Sequence, residues 1–173
     1  EDSQAEAVHL NFSGSDVTDV WGQKVQILFN KDDGNYYAFT RGYNERIGTD
    51  ANYRHSMYLL RSTDGGINFS YAGKIFDQLD MSNPVLGSML DGHISIDYSV
   101  CPNRYYMAIE CSGQMCVSYS ITPFIPSSWS KPVHIVTASN GRSASTGVFL
   151  IDGYNKYASW TVLDDVGSSG PNS

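Results

Sequence analysis

One short pattern recurs three times along this 173-residue chain and restricts the fold more than any other feature. Asn35-Tyr36-Tyr37-Ala38-Phe39 returns as Arg104-Tyr105-Tyr106-Met107-Ala108 and, more faintly, as Asn155-Lys156-Tyr157-Ala158-Ser159. Each copy follows a turn: Lys31-Asp32-Asp33-Gly34, then Pro102-Asn103, then Asp152-Gly153-Tyr154. Each turn follows an apolar run, Val25–Phe29, Ile94–Val100 and Val148–Ile151. Strand, tight turn and Tyr-rich strand make a hairpin. In the first two copies a third and a fourth strand follow, His55–Arg61 with Tyr71–Phe76 and Met115–Ser120 with Val133–Val136. No window shows a sustained 3.6-residue period, so helices are not expected.

The joint between the first pair of outer strands reads Ser62-Thr63-Asp64-Gly65-Gly66-Ile67-Asn68-Phe69. An Asp two residues into a turn accepts backbone N–H groups and locks it, and paired glycines permit positive φ. The residues Ser62, Asp64, Gly66 and Phe69 resemble the Asp-box of sialidase-like β-propellers, with Phe69 for the usual Trp and Asn68 for the usual Thr. In the second repeat Ser120 and Trp129 stand at the ends of the matching joint. The resemblance implies an all-β chain, a β-propeller of four-stranded antiparallel blades. Blades are expected at about 25–76 and 94–136, with an incomplete third at 148–163 and a linker-like tail at 164–173. Two to three blades do not close a ring, so another chain or a further segment is expected to complete it.

The second repeat opens Ile96-Asp97-Tyr98-Ser99-Val100, then Tyr105-Tyr106. This resembles the blade-opening motif of five-bladed arabinanase- and xylosidase-type glycosidases, with Tyr98 where Pro is usual. The resemblance implies a glycan bound or cleaved at the propeller axis. Asp97 would then be a catalytic carboxylate, Glu110 a second and Asp19 a general base. Glycosidases need such pairs because one carboxyl protonates the leaving group while the other attacks or activates water, at roughly 5–9.5 Å separation. Arg41, His93 and Trp21 are the candidate substrate-binding residues. Sialidases hold a carboxylate with three arginines, and Arg41 is a single candidate. The rival reading is a non-catalytic propeller, either a glycan- or protein-binding module or a structural subunit of an extracellular assembly.

Composition narrows the partners. The formal charge is -7, and no Lys/Arg cluster marks a nucleic-acid footprint. No apolar run approaches the roughly 20 residues of a membrane-spanning helix. The four histidines lack metal-site spacing, so neither a metal nor another cofactor is expected. The opening Glu1-Asp2-Ser3-Gln4, without an initiator Met or a signal peptide, fits a processed or partial chain. Two sequons, at Asn11 and Asn68, point to a secreted glycoprotein. Of the three cysteines, Cys111 and Cys116 flank a plausible hairpin loop and are expected to form a disulfide. Pairing of Cys101 with Cys111, or three reduced thiols, are the alternatives.

Overall fold

The computed structural model describes residues 25–46, 53–77, 89–111, 114–136, 143–152 and 155–163. They are all-β apart from one three-residue 3-10 turn, Pro126–Ser128. The first sheet contains β1 (Gln26–Asn30), β2 (Asn35–Arg46), β3 (Tyr53–Ser62) and β4 (Ser70–Asp77). The second contains β5 (Met89–Asp97), β6 (Arg104–Cys111), β7 (Gln114–Ser120) and β8 (Val133–Val136). A hairpin of β9 (Ser143–Asp152) and β10 (Asn155–Leu163) follows. Each four-stranded sheet is an antiparallel meander in chain order.

The pattern found in the sequence fixes the registers. Asn30 pairs with Asn35, Asp97 with Arg104 and Asp152 with Asn155, so the three hairpins share one register from the strand ends that flank their turns. The second repeat differs at one boundary. The apolar run to Val100 stops being a strand at Asp97, whose Oδ1 accepts the Ser99 N–H at 3.0 Å and the Ser99 hydroxyl at 2.5 Å. That local bonding competes with the ladder and starts the turn.

Side chains alternate across each strand, which gives every unit a front and a back. Tyr37, Tyr106 and Tyr157 hold one equivalent front position, and Tyr36, Tyr105 and Lys156 the adjacent back position. The front of the first sheet (Leu28, Tyr37, Phe39, Met57, Leu59) meets the back of the second (Ile94, Tyr105, Met107, Ile109, Cys116, Trp129) in one core. Burying a side chain such as Phe39, Met57 or Met107 contributes about 1.5–3 kcal/mol. The front of the second sheet (Ala108, Met115) meets the back of the hairpin (Phe149, Ala158). The order of packing is therefore front to back, twice.

The first strands are also bridged directly. Gln26 donates from Nε2 to the Ile94 carbonyl at 2.9 Å and accepts the Ile94 N–H on Oε1 at 2.6 Å. Ser95 Oγ donates to the Phe149 carbonyl at 2.6 Å. Backbone packs close where β4 passes the 3-10 turn: a Cβ on Gly73 would lie 2.6 Å from the Pro126 ring.

The 62–69 joint connects β3 to β4. Asp64 Oδ1 accepts the N–H groups of Ile67 at 3.2 Å and Asn68 at 2.9 Å, and the Ser62 hydroxyl at 2.7 Å. Ser62 Oγ accepts the Gly66 N–H at 2.9 Å, while Gly65 and Gly66 take φ of 80° and 90°. Phe69 is buried on the back face. The second sheet answers with other chemistry in the same places. Ser120 Oγ accepts the Thr122 N–H at 3.0 Å, and Trp129, buried on the back face, donates from Nε1 to the Pro123 carbonyl at 3.0 Å.

Candidate functional site

In a meander the first and third connections share one end of the sheet. Both sheets place those connections at the end where Asn30 and Asp97 lie. Between them runs an open groove of about 640 Å³. Phe29, Asn30 and Asp32 line it from the first sheet, Tyr98, Asn103 and Tyr105 from the second, and residues 121–125 run along it.

The walls are held by local bonding. Asn30 Oδ1 accepts the Asp32 N–H at 3.2 Å, and Asp33 accepts the Asn35 N–H at 3.0 Å and the Tyr37 hydroxyl at 2.6 Å. The Tyr37 hydroxyl holds Asp33 below its ordinary carboxylate value. Burial, aided by Asp33, pushes Tyr37 up. Phe124 packs between the Tyr37 ring, 4.7 Å away, and the Tyr105 ring, 6.3 Å away. Burial also raises Tyr105, and its neighbours Tyr98 and Asp32 add to the rise, so groups from both walls act on this hydroxyl. Phe29 and Tyr98 stay 55% and 73% exposed. The exposed Tyr98 ring beside amides, hydroxyls and a carboxylate suits a ligand with an apolar face and many hydroxyls. Asp32 is the one carboxylate among the described lining residues.

Of the expected catalytic residues, Asp97 and Glu110 lie at opposite ends of the second sheet. Asp97 has no accessible surface and lies at the end of β5, bound to Ser99 and 3.0 Å from Lys156 Nζ on the hairpin. The approach of Lys156 to Oδ2 is an ion pair whose angle falls outside hydrogen-bond geometry. The Ser99 hydroxyl first, and then Lys156, hold Asp97 below its ordinary value. Burial opposes them and is the lesser influence. Glu110 pairs with Leu90 and Met115 at the far end of β6, six residues beyond Arg104. At the rise of a strand that is about 20 Å from the Asp97 end. Arg41 holds the equivalent far position in β2, opposite Met57, and His93 is exposed on β5 opposite Ala108. Asp19, Trp21 and Asn11 lie outside the described residues. Asn68 is exposed, with Nδ2 donating to Asp64 Oδ2 at 2.7 Å.

The expected Cys111–Cys116 disulfide is not formed. Cys116 is a free, buried thiol whose Sγ lies 3.6 Å from His134 Nδ1. The register explains this: Cys111 faces Gln114 and Cys116 faces Ile109. The two cysteines are diagonal neighbours, about 7–8 Å apart, beyond the roughly 4.4–6.8 Å between Cα atoms that a disulfide spans. Cys101 is free and exposed.

Sequence reasoning missed the groove and Lys156. The one available signal for the groove was Tyr98, a large ring where a turn residue is usual. Among the described residues no group of three His, Cys, Asp or Glu side chains is arranged to hold a metal ion. Nor is any helix there long and apolar enough to cross a membrane. No protein-family model, curated protein or solved structure matches this chain.

Proposed function

We propose that this chain is a piece of a secreted β-propeller that binds carbohydrate without cleaving it. Three features support the propeller reading. Four-stranded meanders recur, their first strands are bridged to one another, and the 62–69 joint has the hydrogen bonding expected of an Asp-box. The observation that carries the binding reading is the groove between the first two sheets, with the exposed Tyr98 ring beside Asn30, Asp32 and Asn103. The lone carboxylate in that groove, and the opposite placement of Asp97 and Glu110, favour recognition over hydrolysis. The exposed sequon at Asn68 fits secretion.

A glycan array, followed by calorimetry with the best binder, tests this. Tyr98→Ala is expected to weaken binding by up to about tenfold, because an aromatic platform contributes about 0.5–1.5 kcal/mol. A panel of chromogenic glycosides is expected to show no turnover. Turnover abolished by Asp32→Asn would overturn the non-catalytic reading, and binding unchanged by Tyr98→Ala would remove the groove as its site.

A further inference from the structure

The groove lies between two complete four-stranded sheets, and its charge is as distinctive as its shape. Tyr98 enters it from the turn after β5 and Tyr105 from the start of β6. Asp32 comes from the other wall, in the turn after β1. Burial first, and then the charges of Tyr98 and Asp32, push Tyr105 up, so the two walls lie within electrostatic reach of each other at this hydroxyl. Asp33, Asp64 and Asp97 each commit a carboxylate oxygen to an N–H of their own turn. Asp32 does not. Asn30 holds its backbone N–H, and among the described residues no hydrogen bond or ion pair engages its exposed carboxylate.

Aromatic rings present a negative face, so rings and a carboxylate around one space favour a cation. Lys31 also lines the groove and is exposed, but the charges that act on Tyr105 are those of Tyr98 and Asp32. The net charge of -7 biases the surrounding field the same way.

We propose that the groove selects a sugar bearing a free, protonated amine, an unacetylated amino sugar, over its neutral acetylated counterpart. This rests on the carbohydrate-binding reading and adds the charge of the ligand. Asp32 pairs with the ammonium, Tyr98 stacks on the apolar face of the sugar ring, and Tyr105 turns its π-face to the same cation. Asn30 and Asn103 remain for the sugar hydroxyls. Acetylation of the amine removes the charge that Asp32 and Tyr105 recognise. The groove is open to water, so the ion pair and the ring together are worth about tenfold in affinity.

Calorimetry on the whole chain at about pH 6, where an amine carries its proton, tests this. The probes are a glucosamine oligosaccharide and the N-acetylglucosamine oligosaccharide of the same length. The wild type is expected to bind the first about tenfold more tightly. That preference is expected to shrink as salt rises from about 0.05 to about 0.5 M. Asp32→Asn, at an exposed turn position, is expected to lower the ratio of the two affinities to about threefold or less. Equal affinities in the wild type, or a ratio that Asp32→Asn leaves unchanged, would overturn the proposal while carbohydrate binding stands. Binding of neither oligosaccharide, with another glycan bound, would overturn it in the same way. Binding of no glycan at all would overturn both readings.

Discussion

The two junctions between consecutive units share one frame and are filled differently. At the first, a continuous apolar core joins the sheets: Phe39 meets Trp129 edge-on at 6.0 Å, and Met107 and Ile109 pack beside them. At the second, Ala108 and Met115 pack on Phe149 and Ala158, and polar links are added to that contact. Lys156 reaches Asp97 and lies 6.0 Å over the Tyr106 ring, and Ser95 bonds to the Phe149 carbonyl. The positions of Asp97 and Lys156 are held at the first junction by Asn30 and Tyr105. There the ion pair spans the gap between units; here an amide and a phenol stand on opposite walls of an open groove. A repeat can thus keep its packing geometry while one pair of positions changes from an ion pair to the walls of an open groove.

Substitutions should separate the two junctions. The largest effect is expected for Phe39→Ala, which empties a fully buried position in the first junction and should cost about 3–5 kcal/mol in chemical denaturation. A loss below about 1 kcal/mol would mean that the first core is loosely packed. Gly73→Val comes next. Its side chain would run into Pro126 at a φ of 155°, and the overpacking should cost roughly 1–3 kcal/mol.

A smaller effect, confined to acid, is expected at the second junction. Asp97 titrates below its ordinary 3.8 in the folded chain. Its contribution is therefore present above that value and lost as the pH falls through the folded one. Asp33 and Asp64 shift in the same direction, so the wild type should lose stability steadily below 3.8. Asp97→Asn should lower stability at neutral pH and flatten that acid slope. Lys156→Met should act in the same way but more weakly, since the Ser99 hydroxyl is the larger influence on Asp97. Identical acid profiles for wild type and Asp97→Asn would show that the ion pair does not hold the hairpin.

Much of this frame was legible in the sequence because it is local. Turn residues and period-two alternation marked the hairpins, and the spacing of Ser62, Asp64 and Phe69 marked the outer joint. Asp97 shows where reading stops. An Asp at a strand end suits catalysis and turn closure equally, and the deciding partner, Lys156, lies far along the chain. The groove was hidden for the same reason, since its walls come from separate repeats. Cys111 and Cys116 misled because loop length alone does not fix the register that sets them diagonally.

The central claim is that fronts pack on backs, with Tyr105 and Tyr106 on opposite faces of β6. A nuclear Overhauser spectrum of the chain with labelled Tyr and Phe tests this most directly. The account predicts ring cross-peaks for Tyr37 with Phe124, Tyr105 with Phe124 and Tyr106 with Phe149. Cross-peaks between Tyr106 and Phe124 would contradict it, because they require β6 to present its other face to the first sheet.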